Sequence, residues 1–229
     1  MKLYTPGWVG YNVGMIRPTW KIKWTYVLLP AVLFALLALS LSAEFSNSFD
    51  LEFYHEVREH MYPFLTFLML WITHVGDVGV VVLLAGVGFL VPYVRRRLSI
   101  PLSTGVIVSL GTNLVLKNLF ARERPNILRL INETSYSFPS GHAMVNTTLY
   151  VILVYFIWRQ MENPLWRRVL SGMAVVLLGL ICYSRVYLGV HYITDILGGM
   201  LFGFIIAVVV IYLFQNRLND TDQREERTI

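Results

Sequence analysis

Long apolar runs separated by short charged stretches are the feature that most constrains how this chain can fold. Each run is close to the roughly 20 residues that a helix needs to cross a bilayer. Hydrophobic residues make up 56% of the chain and charged residues 14%, whereas an ordinary soluble domain has roughly 25% charged residues. The sequence therefore predicts a single helical domain in a membrane. The six runs cover about residues 24–42, 76–94, 100–120, 142–160, 167–184 and 192–214.

The predicted fold class is all-α, a bundle of six transmembrane helices with short interfacial helices between the first two spans. Residues 43–60 are acidic and polar, and the apolar stretch 61–73 is too short to span a bilayer. Residues 53–73 are therefore interpreted as an interfacial or re-entrant helical segment. The predicted organisation is a cytosolic lead, a six-span domain and a disordered cytosolic tail, at residues 1–23, 24–214 and 215–229.

The first apolar run has a second interpretation. Ser40-Leu41-Ser42-Ala43 resembles the small-residue cleavage site of a signal peptide. The run is longer than the roughly 7–15 apolar residues of such peptides, which favours a retained membrane anchor.

Basic residues indicate the orientation of the spans. Four segments hold 13 of the 19 Lys and Arg, and six alternating spans place all four on one side. The positive-inside rule makes that side cytoplasmic, so both termini are predicted to be cytoplasmic in a multi-pass protein of the cell membrane. The four segments are residues 1–23, 95–97, 159–168 and 215–229.

Three polar strings fall on the other, extracytoplasmic side, at the edges of apolar runs. They run from Lys117 to Pro125, from Pro139 to His142 and from Ser184 to Asp195. Ionisable groups at membrane edges are energetically costly, so their clustering indicates a function.

The first string contains a pair of cations. Lys117 and Arg124 are seven residues apart, which places them on one side if the helix continues for two turns. Pro125 instead favours a loop after them. A cationic pair at a helix end suits a phosphate, because Arg can bind it with two hydrogen bonds. The alternative is a pair that only anchors the span at the membrane surface.

The second string, Pro139 to His142, opens an apolar run. A helix N-terminus presents free N–H groups that bind anions. Ser140 can cap the helix or bond to a phosphate oxygen, and Gly141 allows close approach of the backbone. His142 would lie beside the anion, where it can protonate a leaving oxygen. The alternative is ordinary helix-start chemistry.

The third string is the most specific. His191 and Asp195 are four residues apart, which places them on one face of a helix. A carboxylate on one imidazole nitrogen fixes the tautomer and leaves the other nitrogen free to attack. The alternative is a pair that stabilises a helix start. Ser184 and Arg185 end the preceding run.

No metal, cofactor or nucleic acid is predicted. His142, His191 and Asp195 could form a set of two histidines and one carboxylate, but three nearby cations would repel a metal ion. The chain has no Walker motif and no cysteine cluster. Its net charge of +5 is spread between apolar runs and does not form one basic face.

Several residues are given no catalytic role. Asp77 is interpreted as a helix-start residue, and Cys182 as a small buried hydrophobe with no disulfide partner. Gly199 and Gly203 form a G-x-x-x-G pattern that favours close packing within the bundle, with homodimerisation as the alternative. The remaining residues without a role are His55, His60 and His74.

In their order and spacing, the three strings resemble the signature of the type-2 phosphatidic acid phosphatase superfamily. That signature is Lys-x6-Arg-Pro, then Pro-Ser-Gly-His, then Ser-Arg-x5-His-x3-Asp, and the chain matches every fixed position from Lys117 to Asp195. The resemblance covers the last four spans. It implies an all-helical six-span fold and a metal-independent phosphatase of the membrane lipid phosphatase branch.

The resemblance also implies a role for each matching residue. His191 would attack phosphorus and form a phosphohistidine, Asp195 would orient His191, and His142 would donate a proton to the leaving group. The phosphoryl oxygens would be held by Lys117, Arg124, Ser140, Gly141 and Arg185.

The predicted function is a lipid phosphate or diphosphate phosphatase at the outer leaflet, with membrane lipids as partners. Candidate substrates are phosphatidate, phosphatidylglycerol phosphate and a polyprenyl diphosphate such as undecaprenyl diphosphate. One alternative is a lipid phosphotransferase that uses the same phosphohistidine. Another is a non-enzymatic protein that binds or transports anionic lipids.

Overall fold

The structure is a computed structural model that describes residues 23–41, 44–90, 94–126 and 128–226. Within these ranges the regular structure is helical and no strand is present, so the all-α prediction is confirmed. The predicted lead falls almost entirely outside the described residues, as do Ser42 and Ala43 of the cleavage-site pattern. The α-helices in the described ranges are α1 (Thr25–Ser40), α2 (Glu44–Glu59), α3 (Pro63–Val75), α4 (Val78–Val87), α5 (Ile100–Phe120), α6 (Gly141–Gln160), α7 (Pro164–Tyr187) and α8 (Ile193–Glu226).

Among the described residues, four helical segments are long and apolar enough to cross a membrane, which indicates a multi-pass membrane protein. A fifth span exists if α3 and α4, which are bent by 46°, form one broken span. α1 is apolar but has only 16 residues, so six spans remain a prediction. The four segments are Arg97–Phe120, Gly141–Gln160, Pro164–Tyr187 and Ile193–Gln215.

The structure divides residues 53–73, which are interpreted as an interfacial or re-entrant helical segment, between two helices. The chain breaks after α2, and α3 begins at Pro63, where a proline is tolerated because the first turn of a helix needs no N–H donor. α3 is followed by α4 at a bend of 46°, and the pair is either one broken span or a re-entrant loop, so the re-entrant interpretation stays a prediction.

α8 continues as far as Glu226, and the disordered cytosolic tail at residues 215–229 stays a prediction. The sequence predicts disorder from residue 215 for lack of an apolar face. Extending an existing helix costs far less than nucleating a new one, so a polar continuation of a long span can stay helical.

α6 and α8 pack at the centre of the bundle through small residues. A Cβ atom added at Gly199 would lie 2.6 Å from the carbonyl oxygen of Ser140, and one at Gly203 would lie 2.3 Å from that of Met144. Thr148 donates a 2.9 Å hydrogen bond to the Gly203 carbonyl. The G-x-x-x-G pattern therefore serves packing within the chain, as its favoured interpretation predicts.

A cluster of buried apolar side chains packs around the end of α7 and the start of α8. Tyr187, Leu188 and Val190 are fully buried in it beside side chains of α2 and α3. Gly189 has a φ of +71°, a conformation that a residue without Cβ adopts at little cost. This turn brings the chain from α7 into α8 and fixes His191, which is only 2% exposed.

Candidate active site

The ends of four helices meet on one side of the bundle. α5 and α7 end there, and α6 and α8 begin there. All the ionisable members of the group except His142 are buried, which such groups rarely are unless they are paired. The structure brings together all eight residues that the sequence singles out, which are Lys117, Arg124, Ser140, Gly141, His142, Arg185, His191 and Asp195.

His191 and Asp195 face each other, with 3.4 Å between Nδ1 and Oδ2. The helical argument for this pair is wrong in one respect, because α8 begins only at Ile193 and His191 precedes it. The Asp195 carboxylate also accepts a 2.9 Å hydrogen bond from the backbone N–H of Tyr192. A carboxylate in the first turn that reaches back to this N–H satisfies a free helix-start donor. The Asp195 carboxylate therefore both stabilises the helix start and contacts the imidazole.

The contacts of His191 leave its Nε2 directed towards a cation. Nε2 lies 3.3 Å from Nη1 of Arg124, while Nδ1 faces Asp195. Burial lowers the pKa of His191 to about 3, and the opposing effect of Asp195 is smaller. His191 lies outside the membrane-spanning segments. It is neutral at physiological pH, which is the state in which an imidazole nitrogen can attack.

Asp195 is held by side-chain donors from the loop between α5 and α6. Ser137 donates to its Oδ2, and Arg122 donates to its Oδ1 over 2.6 Å. The other guanidinium nitrogen of Arg122 lies 2.6 Å from Asp50 on α2. Asp50 in turn accepts from the backbone N–H of Thr194 over 3.1 Å. α2 is thus tied to the start of α8 by buried polar contacts.

Three cations converge on the loop between α5 and α6. Lys117 and Arg124 donate to the same hydroxyl, that of Ser135, over 3.0 and 3.1 Å. Arg124 and Arg185 share the carboxylate of Glu133, at 3.7 Å from Arg124 and in closer contact with Arg185. The cation cluster therefore already holds an anionic group from its own chain.

Glu133 is ionised in this position. Burial alone raises the pKa of Glu133, but the charge and hydrogen bond of Arg185, together with Arg124, hold it below its ordinary value. Its side chain is 30% exposed, whereas that of Arg185 is 2% exposed. No sequence pattern singles out Glu133, because a single acidic residue is common in a polar loop.

Two predicted phosphate ligands keep unused hydrogen-bonding atoms. Ser140 occupies the N-cap position of α6 but makes no capping bond, and its hydroxyl has no partner among the described residues. Capping is therefore not its use here. Nε of Arg185 is likewise buried without a partner in the described part of the chain, while its Nη1 donates to Thr73 over 2.7 Å. Buried polar atoms are nearly always bonded, so these two atoms indicate a ligand-binding site.

Gly141 lies where a side chain would crowd the site. A Cβ atom added there would lie 3.0 Å from Oδ1 of Asn113 on α5. Asn113 also donates a 3.0 Å hydrogen bond to the carbonyl of Pro139. These contacts hold the first turn of α6 against α5, so the N–H groups of that turn keep a fixed position.

His142 contacts a carboxylate to which the sequence assigned no catalytic role. Its Nε2 lies 2.9 Å from Oδ1 of Asp77. Asp77 does occupy the N-cap position of α4, as its interpretation as a helix-start residue predicts, but its side chain makes no capping bond. The other histidines of this region, His55, His60 and His74, are exposed.

The side chains that the structure describes include no group of three or more His, Cys, Asp or Glu residues close enough to hold a metal ion. The site therefore consists of cations, two imidazoles and the carboxylates that contact them.

The chain belongs to the PAP2 superfamily, whose sequence pattern matches residues 98–219. The match contains all three polar strings. The chain is 38% identical over 102 residues to phosphatidylglycerophosphatase B of Bacillus subtilis, and the similar segment covers 43% of this chain and 49% of that protein. It is 33% identical over 114 residues to undecaprenyl-diphosphatase of Sulfolobus acidocaldarius, covering 47% of this chain and 51% of that protein. The similar segment is thus about half the length of these relatives.

The fold is similar to those of two solved structures. One is the transmembrane PAP2-type phosphatidylglycerolphosphate phosphatase from Bacillus subtilis, with a TM-score of 0.76 and 26% identity over 84% of this chain and 97% of that one. The other is Aquifex aeolicus LpxE, with a TM-score of 0.59 and 23% identity over 71% and 94% of the respective chains. The second shows similarity of fold alone.

Proposed function

We propose that this protein is a membrane-bound lipid phosphatase that works through a phosphohistidine at His191. The observation that carries the proposal is the environment of His191. Its Nδ1 faces the Asp195 carboxylate, and its Nε2 faces the guanidinium of Arg124. A neutral imidazole oriented in this way has one free nitrogen directed into a cluster of cations, where a phosphate group would bind.

The reaction follows from these positions. Nε2 of His191 attacks phosphorus, the bond from phosphorus to the leaving oxygen breaks, and His142 gives its proton to that oxygen. Water then attacks the phosphohistidine, His142 takes a proton from the water, and inorganic phosphate and free His191 result.

Charge stabilisation is assigned to three cations, two of which, Arg124 and Arg185, already share the carboxylate of Glu133. Lys117, Arg124 and Arg185 would hold the equatorial oxygens of the transition state in place of Glu133. Cations that are fixed before the reaction stabilise charge without reorganising. The unused atoms of Ser140 and Arg185 supply further donors.

The proposed substrates are lipid phosphates or diphosphates, namely phosphatidate, phosphatidylglycerol phosphate or undecaprenyl diphosphate. The names of the two similar enzymes support a phosphorylated lipid and favour the latter two. The site lies at the ends of membrane-spanning segments, so a head group could reach it while its apolar tail stays in the bilayer. The distribution of basic residues supports placing the site at the outer leaflet with both termini cytoplasmic.

The test is phosphate release by detergent-purified protein from these three lipids, in excess chelator. His191→Ala should abolish release, and the matched variant His55→Ala, which removes an exposed histidine on α2, should not. Orthovanadate should inhibit the wild type. Activity that is lost in chelator and restored by a divalent metal would contradict the metal-independent mechanism. Transfer of phosphate to a second lipid, without release of free phosphate, would identify a phosphotransferase.

A further inference from the structure

The bend between α3 and α4 places a carboxylate beside the histidine at the start of α6. Asp77 has extended backbone angles, with φ −63° and ψ 141°, at the N-cap position of α4. An aspartate at this position usually accepts a hydrogen bond from a free N–H of the first turn. The Asp77 side chain makes no such bond and lies 2.9 Å from Nε2 of His142.

The backbone around this contact is fixed by a buried amide. Nδ2 of Asn146 donates to the carbonyl of Gly76 over 2.8 Å and to the carbonyl of His142 over 2.9 Å. Asn146 is fully buried. One side chain thus connects the residue before Asp77 to His142 itself.

Packing at Gly76 prevents the bend from shifting towards α7. A Cβ atom added there would lie 2.5 Å from Cγ2 of Ile181 and 3.2 Å from Nδ2 of Asn146. Only a residue without a side chain allows the backbone to approach so closely. The position of Asp77 is therefore set by packing and by hydrogen bonds that do not involve its own carboxylate.

A general acid in this site needs a carboxylate in contact with it. His142 has to carry a proton before the leaving group departs, yet it shares the site with Arg185, and a nearby positive charge disfavours an imidazolium. A carboxylate in contact with the imidazole favours the protonated form and fixes the orientation of the ring.

We propose that Asp77 is a positioning residue that orients His142 as the general acid and favours its protonated form. This inference rests on the proposed phosphatase function. Nε2–H of His142 donates to Asp77, and Nδ1–H passes its proton to the leaving oxygen, which departs as the alcohol. His142 is then neutral and regains the proton from the water that cleaves the phosphohistidine.

The proposal predicts that the need for Asp77 depends on the leaving group. An alkyl phosphate releases a strongly basic alkoxide, which needs a proton as it departs. 4-Nitrophenyl phosphate releases a weakly basic phenolate, which needs none. A merely structural contact would affect both substrates equally, because both use the same phosphate site and the same nucleophile.

The experiment compares kcat/KM for hexadecyl phosphate and 4-nitrophenyl phosphate in the wild type and in Asp77→Asn. General acid catalysis contributes about 10²–10⁴-fold, so the variant should lose at least about tenfold more activity on the alkyl ester than on the aryl ester. Asp77→Glu should recover part of the loss, because it restores the carboxylate. Glu52→Gln, which removes an exposed acid from α2, should leave both rates unchanged.

Equal losses on the two esters, or no loss on the alkyl ester, would overturn the role of Asp77. If Asp77→Asn does not fold, Asp77→Ser retains a side chain that can cap α4 and is expected to show the same selective loss. A wild type that hydrolyses neither ester and no lipid phosphate would overturn the proposed function, and this inference with it. Lipid hydrolysis by the wild type, together with equal losses in the variant, would overturn the inference alone.

Discussion

Arg122 connects the carboxylate of Asp195 to a buried carboxylate of α2. Its Nη1 lies 2.6 Å from Oδ1 of Asp195, and its Nη2 lies 2.6 Å from Oδ2 of Asp50. Asp50 is 1% exposed and Asp195 is fully buried. Each carboxylate therefore depends on this guanidinium for charge balance, because buried charges are unfavourable unless they are paired.

We expect Arg122→Gln to lower kcat with little change in KM, because Asp195 would lose a donor that fixes its carboxylate against His191. A hydrogen bond to a charged group is worth about 1.5–3 kcal/mol, which corresponds to a roughly tenfold to hundredfold loss of rate. Arg122→Lys should retain part of the activity, since it keeps the charge. Steady-state kinetics on a lipid phosphate checks this, with Arg168→Gln, an exposed arginine on α7, as the control. A rise in KM with unchanged kcat would assign Arg122 to substrate binding.

We expect Glu133→Gln to strengthen the binding of phosphate mimics. The Glu133 carboxylate contacts Arg124 and Arg185, so an incoming phosphate has to displace it. An ion pair with a partly exposed partner is worth about 1 kcal/mol or less, so the inhibition constant of orthovanadate should fall by up to roughly fivefold. The KM for a lipid phosphate should fall as well. Weaker vanadate inhibition in the variant would instead mean that Glu133 helps to form the site.

Ser140→Ala should reduce activity without reducing stability, since the Ser140 hydroxyl makes no capping bond. The matched control is Asn163→Ala at the start of α7, where the side chain accepts hydrogen bonds from Leu165 and Trp166 over 2.9 and 3.2 Å. Removing such a cap costs about 1 kcal/mol, so this control should unfold at a lower temperature and remain active. Thermal unfolding and activity in detergent measure both properties. A lower unfolding temperature together with unchanged activity in Ser140→Ala would identify Ser140 as a structural cap.

The burial of His191 predicts a loss of stability in acid. Its pKa falls from 6.5 to about 3 because of burial, so between these values the unfolded chain binds a proton that the folded protein does not. Stability therefore rises with pH in this window and is lost as the pH falls from 6.5 towards 3. His191→Gln should show a shallower decline of the unfolding temperature between pH 6.5 and 4. Identical slopes for the two proteins would contradict the buried, neutral state of His191.

The contact between the proposed nucleophile and its carboxylate could be predicted from the sequence because both residues lie in one short local string. His191 and Asp195 are four residues apart, and their contact depends mainly on one turn and the first turn of α8. The four-residue spacing predicts the contact between the two side chains, but it does not predict that His191 lies before the helix. Gly189 turns the chain there, and α8 begins only at Ile193.

The positioning residues could not be predicted in this way, because their partners are far apart in the chain. Asp77 is 65 residues from His142, and Thr73 is 112 residues from Arg185. A single polar residue at the edge of an apolar segment creates no periodic pattern and does not identify its partner. Only the packing of α2, α3 and α4 against the central helices brings these side chains to the site.

Trapping of the phosphoenzyme tests the central claim most directly. Protein is mixed briefly with a lipid phosphate that is radiolabelled at phosphorus and then denatured in alkali, in which phosphohistidine persists. We expect alkali-stable, acid-labile label on His191 in the wild type and in His55→Ala, and none in His191→Ala. Turnover of the lipid without trapped label, or label that persists in His191→Ala, would contradict the phosphohistidine mechanism.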